Sequence, residues 1–123
     1  MRKIIGIVVF FLSFTCLATD TSTYLKLLKL RNSNNPKDAN YTRTIMQVYH
    51  NGVSNTIVFA NAAAAKNGKP LYCMPKNLTS DQSLVEKLIV EQIKLSGIND
   101  PVVLATPPEV YAILSYQRNF PCK

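Results

Sequence analysis

Apolar side chains recur along most of this chain at three- and four-residue intervals, the spacing of one face of an α-helix, and nowhere in the sustained alternation of a half-buried strand. The exception is an uninterrupted apolar run near the start. Met1-Arg2-Lys3 is followed by Ile4 to Phe14 and then by Thr15-Cys16-Leu17-Ala18. A positive start, a short apolar stretch and small residues ahead of a cut are the parts of a secretory signal peptide. A membrane-spanning helix needs about 20 apolar residues, and polar Thr19-Asp20-Thr21-Ser22 arrives too early for that. The pattern predicts a signal peptide over 1–18, cleaved after Ala18, and a single helical domain over 19–123. In a lipoprotein Cys16 would become the acylated first residue, but Thr15 after bulky Phe14 stands where such a signal carries a small residue.

Within the domain, Tyr24, Leu27, Leu28 and Arg31 share one side of a short amphipathic helix over 22–31, with Lys26 and Lys29 on the other. Asn32-Ser33-Asn34-Asn35 is a turn-forming linker, and Asn35-Pro36 suits a helix start with proline in the first position. The longest helix then runs to Lys66. Ile45, Val48, Tyr49, Gly52, Val53, Thr56, Ile57, Phe59, Ala60 and Ala63 form its apolar stripe. Gly52 weakens a helix by roughly 1 kcal/mol relative to alanine, so its position predicts a close crossing by another helix. Asn67-Gly68 ends this helix as a left-handed cap.

Thr79-Ser80-Asp81-Gln82 has capping-box spacing and opens a helix lined by Leu84, Val85, Leu88, Ile89, Gln92, Ile93 and Leu95, which stops at Ser96-Gly97. Asn99-Asp100-Pro101 starts a short helical or extended piece. Thr106-Pro107-Pro108-Glu109 reads as a second capping box, opening a last helix with Val110, Ile113, Leu114 and Gln117 inward. The expected architecture is all-α, a small bundle of about four helices closed by one disulfide.

Composition agrees with one ordinary globular domain: 123 residues, 47% hydrophobic and 17% charged. The formal charge is +7, and removing Arg2 and Lys3 with the signal peptide leaves +5. A basic balance favours acidic partners. The basic residues are nonetheless scattered, with no patch interleaved with aromatics such as nucleic-acid binding requires.

Candidate chemistry is sparse. Of the seven acids, Asp38, Asp81, Asp100 and Glu109 fall in predicted first turns, where the helix dipole and free amides explain them. Glu86 and Glu91 sit five apart on one helix and so on different faces, which leaves no acid/base pair. No phosphate loop or serine elbow is present. Cleavage at Ala18 leaves an even pair of cysteines, Cys73 and Cys122, as a disulfide in an exported domain requires. The competing reading is a reactive thiol activated by His50, the single histidine, whose neighbours Tyr49 and Asn51 supply no carboxylate to orient it. One histidine and two cysteines are too few for a four-ligand zinc site. The residues themselves thus point to no enzyme, cofactor or metal.

The order Tyr49-x-x-Gly52-Val53, then Leu71-Tyr72-Cys73-Met74-Pro75, Leu78-Thr79 and Gln82, an amphipathic helix, and a closing Phe120-Pro121-Cys122 resembles the resistance-associated/Tai family of type VI secretion immunity proteins across residues 45–122. The chain departs from the family pattern at Asn55-Thr56, at Ile45 and Met46, and at Pro107-Pro108. Members of that family are small, periplasmic and all-helical, often dimeric, and bind and plug a peptidoglycan-cleaving amidase effector. The resemblance implies a periplasmic inhibitor with a protein partner and a capacity to form homodimers, with no catalysis of its own and no stable membrane anchor after cleavage. Loops between rigid helices usually carry such contacts, which makes Gly97-Ile98-Asn99-Asp100 the first candidate surface and the turn holding Lys66 and Lys69 the second. Helix capping is the competing role for Asn99 and Asp100. The alternative function is a small periplasmic holdase of the acid-stress type, which shares this architecture.

Overall fold

The computed structural model describes residues 19–123; the predicted signal peptide, with Cys16, lies outside them. Five helices follow one another: α1 (Thr21–Arg31), α2 (Pro36–Lys66), α3 (Gln82–Gly97), α4 (Pro101–Ala105) and α5 (Pro108–Asn119). Among the described residues there is no strand, and no helix is long and apolar enough to cross a membrane. The all-α fold closed by one disulfide is therefore present, with the short piece after Asp100 adding a fifth helix.

α3 is the central element. Its Val85, Ile89 and Ile93 are fully buried and Leu88 nearly so, with α5 against one side and α2 against another. α1 lies along α2 and also meets α4. Its predicted face is the one that packs: Tyr24 is buried, Leu27, Leu28 and Arg31 are half-buried, and Lys26 and Lys29 are exposed. Asp20 caps α1 by accepting from the Thr23 amide at 2.7 Å. Thr21 then fastens this end to α4, donating from its hydroxyl and its amide to the Thr106 carbonyl at 2.6 and 3.0 Å.

α2 begins as expected, with Asn35 accepting from the Lys37 amide and Pro36 in the first turn. It ends at a left-handed glycine, Gly68, at φ 74°. Its buried face is Ala39, Thr42, Met46, His50, Val53, Ser54 and Ile57, so only Val53 and Ile57 of the predicted stripe are fully inside. Gly52 corrects the sequence reading: it is exposed, and a Cβ built on it would meet nothing within 4 Å. Among the described residues no helix crosses there. The close approach predicted from Gly52 is missing because α3 packs one helical face away.

Both predicted capping boxes are also replaced. Asp81, not Thr79, caps α3, accepting from the Leu84 amide at 2.9 Å. An aspartate in the cap position offers a charged acceptor to the helix N-terminus, and it displaces the start by two residues. Thr106 donates to Val102 O at 2.7 Å and so closes α4; α5 starts from Pro107 with no side-chain cap.

The face of α5 is the largest correction. Val110, Ile113 and Leu114 are 43%, 38% and 44% exposed, and Gln117 is exposed too. The opposite face packs instead, through Pro108, Tyr111, Ala112, Ser115 and Tyr116. Ala112 and Ser115 are fully buried, and their small side chains bring α5 close to α3. The tyrosines then bury more apolar surface than the aliphatic residues would. Their hydroxyls stay satisfied: Tyr111 donates to Val103 O at 3.3 Å and Tyr116 pairs with Ser80 Oγ.

The segment 67–81 has no regular structure, yet several further links besides the Ser80–Tyr116 pair hold it. Asn61 accepts from the Leu71 and Tyr72 amides at 2.7 and 3.1 Å and donates to Tyr72 O at 3.1 Å. Ser54 donates to Ser80 O at 2.9 Å. The Cys73 amide donates to Phe120 O at 2.8 Å. Beside that hydrogen bond the Cys73 and Cys122 sulfurs are joined, with Cα atoms 4.9 Å apart. The bond therefore ties the loop ahead of α3 to the end of α5.

Closing a loop of 49 residues stabilises the native state by about 4 kcal/mol on the chain-entropy description. Both cysteines are exposed, so a reductant reaches them in the folded protein. Urea unfolding with and without reductant should differ by about that amount, and coincident curves would contradict the role. In dilute solution Gly52→Ala should raise the unfolding free energy by about 0.5–1 kcal/mol, because it restores helix propensity without a clash; a loss of stability in the same measurement would show a contact at Gly52.

Candidate functional site

The most concentrated polar chemistry lies where α1, α2 and α3 meet. Tyr24 and Arg31, seven residues and two turns apart on α1, project from one side. His50 comes from the middle of α2 and Glu86 from the first half of α3. Arg31 grips Glu86 with both guanidinium nitrogens, each at 2.7 Å from a carboxylate oxygen, the bidentate geometry in which such pairs are strongest. His50 Nδ1 lies 3.5 Å from Glu86 Oε2, and its Nε2 lies 2.8 Å from the Tyr24 hydroxyl. A nearby carboxylate favours a proton on Nδ1, the tautomer in which Nε2 accepts from the Tyr24 hydroxyl. The rings of Tyr24 and Tyr49 enclose the imidazole, with centroids 5.7 and 5.6 Å away.

Each titratable member is displaced for a definite reason. Burial drives the His50 pKa down, against the pull of the Glu86 charge, and the ring stays neutral. The Arg31 hydrogen bonds hold the Glu86 carboxyl below its usual range, and the same bonds raise Arg31. Burial pushes the Tyr24 hydroxyl up. The chain supplies, across three helices, the carboxylate that His50 lacks among its sequence neighbours.

A groove of about 510 Å³ opens beside this junction, lined by Arg31, Arg43, Gln47, Ser83, Glu86 and Lys87 among others. It is polar and mostly basic. His50 is only 2% exposed, with Nε2 bonded to Tyr24 and Nδ1 turned toward Glu86. The geometry therefore makes His50 a junction between helices and gives no proton acceptor free for a substrate. The thiol reading has lost its nucleophile, since Cys73 and Cys122 are bonded to each other. Among the described residues no three His, Cys, Asp or Glu side chains gather as metal ligands would.

The two predicted contact surfaces stand apart. Gly97 turns the chain out of α3 at φ 108°, a left-handed conformation that suits glycine. Ile98 is 41% exposed and Asn99 is exposed. Asp100 is occupied as a cap, accepting from the Val102 amide at 2.8 Å, so the capping role holds for it and not for Asn99. Ile98 and Asn99 share a groove of about 480 Å³ with Leu25, Leu28 and the lysines Lys26 and Lys29 of α1. Lys66 and Lys69 flank Gly68, both exposed, and are no part of that groove.

Sequence reasoning passed over the Tyr24–His50–Glu86–Arg31 junction because its members are far apart in the chain. The visible signal was a pair of polar-headed side chains, Tyr24 and Arg31, on the face of α1 that also carries the leucines. Compared with protein-family models, curated proteins and solved structures, the chain gives no significant match.

The junction makes stability fall with acid. His50 and Glu86 both have folded pKa values below their unfolded ones of 6.5 and 4.5. Their contributions are complete above those values and are lost as pH falls from them through the lower folded values, because over that interval the unfolded chain binds more protons. Denaturation across a pH series should show a decline setting in just below 6.5 and a further one below 4.5. His50→Gln should cost about 1–3 kcal/mol near neutrality and remove the upper step. A wild-type stability that stays flat from neutrality to the carboxylate range would refute the assignment.

Proposed function

We propose that this chain is a periplasmic immunity protein that binds and occludes a peptidoglycan amidase effector of type VI secretion. The observation that carries the reading is the place of the family-like residues in the fold. Tyr72 packs on Tyr116 with ring centroids 4.8 Å apart, and Tyr116 packs on Phe120 at 5.8 Å. Between them the Cys73 amide meets Phe120 O and the disulfide closes. Tyr-Cys-Met-Pro and Phe-Pro-Cys are thus the two halves of one structural lock, which supports reading them as a shared signature and not as a chance match. A disulfide of this kind persists in an oxidising compartment, in keeping with export through residues 1–18.

An inhibitor needs a firm frame and an accessible contact surface. The groove formed by Ile98, Asn99 and α1 has an apolar floor and a lysine rim, which suits a loop carrying aliphatic and acidic side chains. The acid-stress holdase is the second reading, favoured by one observation: His50 and Glu86 meet where α1, α2 and α3 join, and their protonation would loosen that junction and release Leu25, Leu27, Leu28 and Val90 from partial burial.

Co-expression with an amidase whose gene adjoins this one provides the test. The chain should rescue cells from lysis and bind the purified amidase, and Ile98→Asp should weaken binding by at least about tenfold, the effect expected of a central apolar anchor, with an unchanged thermal midpoint. Full affinity in that variant would move the contact elsewhere. Absence of both rescue and binding, together with suppression of client aggregation at low pH, would replace the immunity reading with the holdase.

A further inference from the structure

The groove beside the junction of α1, α2 and α3 is lined by two matching rows of side chains. Arg43 and Gln47 stand one helical turn apart on α2, and Ser83 and Lys87 one turn apart on α3. All four are exposed. α2 and α3 run in opposite directions, because Ser54 of α2 meets Ser80 just ahead of α3, whereas His50, one turn earlier in α2, meets Glu86. In each row the cation therefore lies nearer the start of α2 than its neutral neighbour. The groove has a positive end and an uncharged polar end.

The positive end is uncompensated. Among the described residues the ion pairs are those of Glu86 with Arg31 and with His50. Arg43 donates to Asn40 of its own helix at 3.1 Å, and neither it nor Lys87 meets an acid among those residues. Glu86 also lines the groove, but both its carboxylate oxygens are held by Arg31. With that pair cancelling, Arg43 and Lys87 leave two positive charges on the groove. Toward the other end Gln82 lines it too, and its Oε1 is buried with no hydrogen-bond partner among the described residues. A buried acceptor without a donor is costly, and a small turn of the amide presents it to a donor in the groove.

We infer that this groove binds a phosphate monoester of a polyhydroxylated molecule, with the phosphate between Arg43 and Lys87 and the hydroxyls along Gln47, Ser83 and Gln82. A phosphate monoester carries close to two negative charges at neutral pH, which matches the two free cations. The arginine fork takes two phosphate oxygens and the lysine adds a mobile point charge. Glutamine and serine side chains both donate and accept, as hydroxyls do, so the uncharged end suits a sugar or cyclitol skeleton where a bare dianion would leave it idle. The volume of about 510 Å³ lies in the range of about 300–1,000 Å³ that small-molecule clefts occupy. Because the cations are exposed, solvent and salt screen the attraction, and affinity falls as ionic strength rises. A soluble sugar phosphate and a phosphorylated inositol headgroup on a lipid surface offer the same chemistry.

Calorimetric titration of the oxidised chain at low salt tests the site. Glucose 6-phosphate should bind saturably with one site per chain, inorganic phosphate more weakly, and glucose not at all. Arg43→Gln combined with Lys87→Gln should weaken the ester at least about tenfold with an unchanged thermal midpoint, whereas Lys66→Gln with Lys69→Gln, which removes the same charge at the turn after α2, should leave affinity intact. A second arm uses phosphatidylcholine vesicles carrying phosphatidylinositol 4-phosphate. Vesicle binding that the soluble ester displaces supports the site and assigns the phosphate to a headgroup; ester binding without vesicle binding supports it and assigns a soluble ligand. The inference is overturned by absence of ester binding, with or without vesicle binding, by equal affinity for the ester and inorganic sulfate, or by equal losses in the two double variants.

Discussion

The bond between Cys73 and Cys122 is the constraint on which the rest of the fold depends. The segment before α3 has no regular structure of its own, and a loop of that kind is ordered only by what it is tied to. Here the disulfide and the adjoining hydrogen bond from Cys73 to Phe120 fix it to the end of α5. Tyr72 is thereby set against Tyr116, and Ser80 against both Ser54 and Tyr116. With both ends of the α3 to α5 segment joined, α5 has a definite height and rotation on α3, and the aliphatic row of α3 becomes the floor on which α2 packs. α1 comes last, held by Thr21 at one end and by Arg31 on Glu86 at the other.

Those two centres do different work. The disulfide limits the unfolded chain and is indifferent to pH within the range where it stays oxidised. The Tyr24–His50–Glu86–Arg31 junction limits the folded one, because a buried histidine bonded to Tyr24 and set beside Glu86 fixes the rotation of α2 relative to α1 and α3. Arg31 and Glu86 are each about one-quarter exposed, so solvent screens the ion pair and its worth lies more in geometry than in raw stability.

Elements were legible in the sequence where local chemistry sets them. Pro36 and Gly68 bound α2, Gly97 ends α3, and the lysines mark the outside of α1; each acts through its own backbone or side chain. Faces were less legible. On α5 the aliphatic row Val110, Ile113 and Leu114 promised the core, yet tertiary packing selected Tyr111, Ala112, Ser115 and Tyr116, since small residues permit close approach and a tyrosine can be buried once its hydroxyl has a partner. Gly52 promised a close crossing by another helix, yet it stands exposed with open space where a Cβ would lie. The junction was hidden for a simpler reason. Its four members span residues 24 to 86 and meet only after three helices have packed. Of the surfaces named for contact, the turn after α3 is accessible, but Asp100 there is already engaged by the α4 amide of Val102.

A rigid interior with accessible apolar and basic exteriors suits a protein that acts by occupying another. That reading begins from an oxidised, exported domain, so the most direct measurement is the state of the two sulfurs in the protein recovered from an oxidising compartment. Alkylation under denaturing, non-reducing conditions followed by peptide mass analysis should find Cys73 and Cys122 unlabelled and linked in one peptide pair. Labelling of both residues as free thiols would contradict the clamp and the location that follows from it.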